Sequence, residues 1–595
     1  MTGRPPARRR GGPAGRRPGP ARPAPRREAD PARRVAYDLL RAVDERDAYA
    51  NLTLPALLRE RGLTGRDAAF ATELGYGTLR AAGALDEFLA RCADRPVAAM
   101  DPAARAALRL GAYQLLRTRV PPHAAVSATV DLAPRRAAGF VNAVLRRLAR
   151  QDWDAWVAEV APPDELGRLA LRHAHPRWIA AAFADALGGD IGETDAALAA
   201  DDARPQTHLV ARPGRIDRDR LAAQAGGEPG PWSPYAVRLP SGGDPGALAA
   251  IRDGRAGVQD EGSQLCALAL TRVPLDGPDT RWLDLCAGPG GKAALLGSLA
   301  ALRGTIAPAG HSAPASRPGP NPVATGIPAA GDPTAAGSSG PASGRGPDPA
   351  AATSSPAARD PAATGSPAAG GAAATGSPAA GGDPAAAGSS AAGDPAAAGD
   401  PASGDPVAAG CSAARDPAAT GPSTREDQGP ARVVAVEVAE HRARLVAATT
   451  AGLPVDVVRA DGTVPPWRPG WADRVLVDAP CTGLGALRRR PEARWRRSPD
   501  DLAELTRTQR ALLRRGIEAA RPGGVIAYVV CSPHLTETRD AVEEVLADGT
   551  TDLLDAGPYF PADGPTVQLW PHRHGTDAMF CALLRRRAAE PASIG

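Results

Sequence analysis

Two cysteines each follow an apolar run that reads as a β-strand: Cys481 in Asp478-Ala479-Pro480-Cys481 and Cys531 in Tyr528-Val529-Val530-Cys531-Ser532-Pro533. A thiolate is strongly nucleophilic and also leaves readily, so it can add reversibly to an electron-poor ring. Cytosine is such a ring: its C5 attacks no methyl donor until a nucleophile has added at C6. After methylation a base must remove the C5 proton to expel the first sulfur, and a second thiol can assist there. One cysteine alone reads as a small buried hydrophobe. The pair, with the glycine-rich run Asp284-Leu285-Cys286-Ala287-Gly288-Pro289-Gly290-Gly291-Lys292 upstream, points to methyl transfer onto C5 of a cytosine in RNA. On chemistry alone the two thiols are interchangeable.

The elements needed to position them are legible from Gly257 onward, where short apolar strands alternate with helices as in a doubly wound α/β sheet. Strands are predicted at Trp282–Leu285, Val433–Glu437, Val455–Val458, Arg474–Asp478 and Val525–Val530. A helix is expected from Lys292 to Leu302, and another to begin with Ser498 as N-cap and Pro499 in its first turn. Ligands of such sheets bind beyond the carboxyl ends of the strands, where Gly288, Glu437, Asp461, Asp478, Cys481 and Cys531 all fall. An acid at the end of the second strand ordinarily follows the glycines by about 20 residues. Gly291 and Glu437 are 146 apart, and removing the 127 residues from 304 to 430 leaves 19. That tract is Ala, Gly, Pro, Ser and Asp with imperfect repeats and no aromatic residue. It is expected to be a disordered insertion in a surface loop, because it cannot bury enough apolar area to offset its ordering.

Upstream, residues 31–150 read as an all-α bundle, with Val35, Leu39, Leu40 and Val43 on one helical face and Leu108, Ala112 and Leu115 on another. Residues 155–255 read as a small α/β module, and 256–588 as the interrupted α/β domain. Nine arginines precede the first acid, Glu28, so residues 1–30 form a polycationic arm suited to phosphate contacts, although the net charge is only +4. The arm has no apolar h-region and no later run is long enough to span a bilayer, so a cytoplasmic chain with no membrane partner is expected. Seven cysteines without a C-x-x-C pair argue for reduced thiols and against a metal site. A monomer is expected.

Of the 70 lysines and arginines in the chain, Lys292 is the single lysine, and it ends the glycine-rich run. A compact ammonium retained where arginine is otherwise universal implies a tight slot. Just past Cys481, Arg488, Arg489, Arg490, Arg494, Arg496 and Arg497 surround Trp495. This basic loop is expected to grip phosphates and stack a base.

Asp284–Lys292, Asp478–Gly483 and Tyr528–Ser532 resemble the signature motifs of the RNA cytosine-5 methyltransferases of the NOL1/NOP2/Sun family. Arg66–Arg80, His123–Val126 and Phe140–Arg147 resemble the NusB-like RNA-binding domain that precedes the enzyme in the bacterial 16S rRNA branch. The resemblance implies a Rossmann-like methyltransferase domain that uses S-adenosyl-L-methionine on small-subunit rRNA. It makes Cys531 the nucleophile, Cys481 the thiol that assists release, and Asp478 the holder of the cytosine N3/N4 edge. Cys286, Ala287, Gly288, Pro289, Gly290, Gly291 and Lys292 would cradle the methionine end of the cofactor. Asp478 would border it, Glu437 would take its ribose and Asp461 its adenine. Gly288, Ala293, Glu437 and Val530 depart from the family's usual alanine, threonine, aspartate and threonine. A tRNA cytosine-5 methyltransferase and a non-catalytic NusB-like RNA-binding factor remain as rival readings.

Overall fold

The computed structural model describes residues 29–240, 244–303, 430–464 and 466–588. Nearly all of the arginine-rich arm and of the low-complexity insertion lies outside the described residues.

Proline at the first helical turn and aspartate just before it start two helices of the amino-terminal bundle. Asp30 caps Pro31–Arg46 by accepting from Arg33 N, and Asp101 caps Pro102–Arg117 by accepting from Ala103 N and Ala104 N. With Ala50–Glu60, Gly65–Ala93, Pro122–Leu132 and Ala138–Leu148, these helices enclose one apolar core, which includes Val35, Leu39, Leu74, Phe88, Leu108, Val141 and Leu145. The core does not stop at Arg150: Trp153, Trp156 and Val157 complete it, with Trp153 edge-on to Phe88 at 5.0 Å.

Three further helices lead to a small antiparallel sheet of β1 (Thr207–Ala211), β2 (Glu228–Pro229), β3 (Ala236–Leu239) and β4 (Ala256–Val258), in the order β2-β3-β1-β4. Because β4 pairs with β1, this module runs slightly past residue 255.

The large sheet contains β5 (Arg281–Asp284), β6 (Arg432–Val436), β7 (Val455–Val458), β8 (Ala472–Asp478), β9 (Ala520–Val530), β10 (Thr551–Leu554), β11 (Thr566–Gln568) and β12 (Phe580–Arg586). Its order is β10-β12-β9-β8-β5-β6-β7, with β11 also on β12. Strands β5 to β9 are mutually parallel, and β12 joins antiparallel to β9. Side chains alternate across the sheet with period two. Leu476, Val525, Ala527 and Val529 pack on the face that carries helices Glu261–Arg272 and Gly291–Arg303. Val475, Val477, Ile526 and Tyr528 pack on the face of helices Asp501–Ala519 and Arg539–Ala547. The doubly wound α/β domain behind an all-α domain and a small α/β module is therefore the observed architecture. Helix Asp501–Ala519 begins later than expected because Ser498 closes a reciprocal turn first: its N–H donates to Asp501 Oδ2 and its Oγ accepts from Asp500 N.

Candidate active site

The turn after β5 is built on two glycines in the left-handed region, Gly288 at φ +56° and Gly290 at φ +94°. At Gly290 a Cβ would also fall 3.0 Å from Thr449 Cβ, so glycine is required there on both counts. Ala287 N donates to Val436 O at 2.9 Å and Gly290 N to Ala287 O at 2.9 Å, which pins the loop over the parallel strands before helix Gly291–Arg303 begins.

Asp284 ends β5 and is buried. Burial, with like charge from Asp478 and Glu437, pushes its carboxyl up to about 7, against a partial offset by Lys292 and the Cys286 backbone. Burial likewise raises the Cys286 thiol. Glu437, just past β6, is buried, and its Oε1 accepts from Ala439 N at 2.9 Å and pairs with Arg442 at 2.9 Å. Asp461 is exposed beyond β7, and its Oδ1 accepts from Thr463 N at 2.8 Å and Thr463 Oγ1 at 2.7 Å.

Lys292 Nζ reaches Asp478 Oδ2 at 2.8 Å, with only 10% of the lysine side chain exposed. Burial works against the ammonium, but the Asp478 carboxylate outweighs it and holds the lysine above its ordinary value. Three residues past Asp478, Cys481 Sγ lies 3.4 Å from Cys531 Sγ, which follows the end of β9. Their environments differ. Cys531 is drawn below an ordinary thiol by the hydrogen bond from Cys481, and the Lys292 and Arg490 cations reinforce this against burial and Asp478. Cys481 is driven up by its bond to Cys531, by burial and by Glu537. The two thiols are thus biased in opposite directions, Cys531 toward the thiolate and Cys481 toward the thiol. Parallel strands β8 and β9 deliver both sulfurs, and the Cys531 carbonyl accepts from Gly485 N at 2.9 Å.

The structure brings together the glycine-rich run, Lys292, Glu437, Asp461, Asp478, Cys481 and Cys531 at the carboxyl rim of one sheet. It does not bear out most of the basic loop. Arg488 is buried, with Nε donating to Asp577 Oδ1 at 2.8 Å. Arg489 binds Asp260 Oδ2 at 2.6 Å and Asp577 Oδ1 at 2.9 Å. Arg494 is wholly buried against Asp201 Oδ2 at 2.8 Å and the Ala174 carbonyl at 3.0 Å. Trp495 Nε1 donates to the Leu79 and Arg80 carbonyls, and its ring fills the space left by Gly83, where a Cβ would fall 2.1 Å away. Arg489, which also donates to the Gln206 carbonyl, Arg494 and Trp495 join the rim to the other modules, and Arg488 ties the loop within the α/β domain, so all four are corrected from RNA contacts to internal ties. Of the seven residues of this loop, Arg490 and Arg496 stay exposed, and Arg490 is near enough to Cys531 to act on its thiol.

Sequence reasoning missed the buried polar residues beneath the thiols, Thr482, Gln509, Ser532 and Glu537. Only the adjacency of Thr482 and Ser532 to the two cysteines hinted at them. Among the described residues no group of acidic, histidine or cysteine side chains could hold a metal ion, and no helix is long and apolar enough to cross a membrane.

Residues 426–585 match the family model described as 16S rRNA methyltransferase RsmB/F, and residues 30–150 match the NusB family. The chain is 46% identical to "Putative methyltransferase MT1451" of Mycobacterium tuberculosis, over 94% of this chain and 98% of that protein. It is 26% identical to the ribosomal RNA small subunit methyltransferase B of Sodalis glossinidius, over 88% of this chain and 90% of the relative. The crystal structure of PH0851 superposes with a TM-score of 0.61 at 18% identity, covering 94% of this chain and all of that one, which shows a shared fold.

Proposed function

The chain belongs to the RsmB/F family of 16S rRNA methyltransferases, and on that premise we propose that it methylates C5 of a cytosine in small-subunit rRNA, in the cytoplasm, through a covalent bond between Cys531 and C6. The observation that carries the reading is the pair of sulfurs 3.4 Å apart, one lowered and one raised in pKa, beside the Lys292–Asp478 ion pair.

The rim suits S-adenosyl-L-methionine. Carboxylates Asp284, Glu437, Asp461 and Asp478 offer negative charge to a sulfonium and an ammonium and acceptors to a ribose diol, and the loop from Cys286 to Lys292 carries no side chain at Gly288, Gly290 and Gly291. In this reading Cys286–Lys292 hold the methionine end, Glu437 the ribose and Asp461 the adenine. When bound, the cofactor supplies an electrophilic methyl group.

Cys531, whose thiol is held below its ordinary value, adds to C6 as the thiolate. Asp478, held by Lys292, binds the N3/N4 edge of the base and supports protonation there as the bond forms. Once Cys531 is bonded to carbon its negative charge is gone, and Cys481 loses the neighbour that kept it protonated. Cys481 can then pass its proton to solvent, take the C5 proton as thiolate, and let Cys531 leave as thiolate. The target base must leave its stack to meet both sulfurs. Arg490 beside the thiols is the candidate phosphate contact, and the helical domain the candidate RNA-binding module.

Cys531→Ala is expected to abolish methylation, read by bisulfite mapping of 16S rRNA. Cys481→Ala is expected to accumulate a covalent RNA adduct, seen as a shifted band on a denaturing gel. A Cys481→Ala enzyme that turns over without adduct would refute the division of labour.

A further inference from the structure

Near the two thiols lies a carboxylate outside the motif stretches named above. Glu537 is fully buried six residues beyond Cys531, and its side chain crosses back to the other thiol's loop. Its Oε1 accepts from Thr482 N at 2.8 Å and from Gln509 Nε2 at 3.0 Å, and its Oε2 accepts from Thr482 Oγ1. Gln509 Nε2 gives its other hydrogen to the Pro480 carbonyl at 2.9 Å. The Thr482 hydroxyl has one proton, and Glu537 takes it, so the contact between Thr482 Oγ1 and Ser532 Oγ at 3.1 Å must run with Ser532 as donor. The Glu537 carbonyl is itself fixed by the Tyr528 hydroxyl at 2.7 Å.

The topology of this network matters more than its size. Thr482 directly follows Cys481, Ser532 directly follows Cys531, and Pro480 directly precedes Cys481. Every bond to the Glu537 carboxylate therefore ends on the loop after β8 or on the helix residue that braces it, while its own backbone belongs to the segment after β9. The two loops meet the rim as ends of parallel neighbours, but the last ladder pair is Asp478 with Val529. Beyond it the backbone bonds from Ala479 N to Val529 O at 3.0 Å and from Gly485 N to Cys531 O at 2.9 Å join the two segments, and neither involves Pro480, Cys481 or Thr482.

We propose that Glu537 is a positioning residue that clamps the Cys481 loop to the Cys531 loop and so sets the sulfur separation on which thiolate formation and adduct release depend. This rests on the reading of Cys531 as nucleophile and Cys481 as its partner. Without the carboxylate, Thr482 N, Thr482 Oγ1 and one Gln509 hydrogen lose their acceptor in the interior, and the Cys481 loop has reason to move. A displacement of about 1 Å at a reacting group costs roughly a hundredfold in rate.

The test measures Cys531 alkylation by iodoacetamide against pH, read by peptide mass spectrometry, in the full chain and in Glu537→Ala, Glu537→Gln and Thr482→Val, alongside methylation and adduct on 16S rRNA. Lys292, Asp478 and Arg490 also face Cys531 and are unchanged in all four proteins, and Thr482→Val keeps the Glu537 charge that acts on Cys481, so a shift that Thr482→Val shares reports the Cys481 bond. Glu537→Ala should move the Cys531 midpoint up toward an ordinary thiol, about 8.5, and raise the share of RNA trapped as adduct while product falls roughly a hundredfold. Glu537→Gln keeps the shape and the Oε1 acceptor and should recover most of both. Thr482→Val removes only the bridging hydroxyl and should show a smaller shift in the same direction, which keeps the test decisive if Glu537→Ala does not fold. Wild-type midpoints and adduct fractions in Thr482→Val and in a folded Glu537→Ala would overturn the clamp. A wild type that leaves rRNA unmethylated would overturn the methylation reading instead, and the alkylation comparison would still decide the clamp.

Discussion

Arg494→Met separates the two meanings a basic loop can have. As an RNA contact, Arg494 would be dispensable for folding, and its loss would lower the salt dependence of RNA binding by about one unit of slope. The structure gives it another task. Its guanidinium is fully buried between the catalytic rim and the linking helices, with Nη2 on Asp201 Oδ2 at 2.8 Å and Nη1 on Asp202 Oδ1 at 3.4 Å and on the Ala174 carbonyl at 3.0 Å. Burial pushes Asp201 up, but His175 and Arg494 more than compensate and keep the carboxylate below its usual range. Methionine approximates the stem and leaves that carboxylate without its cation. Breaking a buried pair by removing one partner costs roughly 3–5 kcal/mol. For a cooperative unit of 150–250 residues each kcal/mol is worth about 2–4 °C, so the melting temperature should fall by roughly 6–20 °C. Differential scanning calorimetry reads this, with Arg490→Ala as the counterpart. Arg490 is exposed, so its loss should leave melting unchanged and reduce the salt slope of RNA binding by about one. An Arg494→Met protein that melts with the wild type and has a reduced salt slope would refute the assignment of this residue to the interior.

Two further outcomes follow from the rim. Asp284 has its carboxyl raised to about 7, so the folded state binds more protons than the unfolded one, and the associated stability is fully present below about 3.9 and lost as pH rises through 7. Asp284→Asn should therefore gain on the wild type between pH 5 and pH 8, by up to a few kcal/mol, and an equal melting difference at both pH values would contradict this. Lys292→Arg puts a planar guanidinium into a slot that leaves 10% of the side chain exposed and holds one short bond to Asp478. Methylation rate should drop by roughly a hundredfold while charge is conserved, and a rate near wild type would show that the slot accepts any cation.

What could be read from the chain depended on whether the signal was local. The glycine-rich turn, the acids after β6 and β7 and the two thiols each sit at a strand end marked by its own apolar run, so alternation alone aligned them on one rim. The gap between Gly291 and Glu437 became ordinary once the repetitive tract was set aside. The basic loop misled because a run of arginines looks the same whether its partners are phosphates or distant carboxylates: Asp201 lies 293 positions from Arg494 and Asp260 lies 229 from Arg489. Glu537 was illegible for the complementary reason, since a single acid in a polar stretch acquires meaning only when two loops from neighbouring strands close over it. Strands β10 and β11 went unnamed as short runs, and the seven-residue β12 went unnamed because it carries no chemistry to draw attention.

The division between arginine and lysine in this fold has a physical basis. A guanidinium offers five donors in a fixed fork and an ammonium offers three about a point. Where several acceptors of fixed direction converge, the fork satisfies them together: Arg494 joins modules through Asp201, Asp202 and the Ala174 carbonyl, and Arg474, within the α/β domain, serves Asp279 and the Leu270 and Val273 carbonyls. At the rim the requirement is different. One cation must bond Asp478 and also bias the Cys531 thiol, in a space bounded by the glycine-rich turn. On the proposed function, a fork there would point surplus donors into the space the substrate enters, whereas an ammonium presents its charge without that breadth. The same pressure that made every other basic residue arginine therefore meets its limit at the one position where a cation must also be compact.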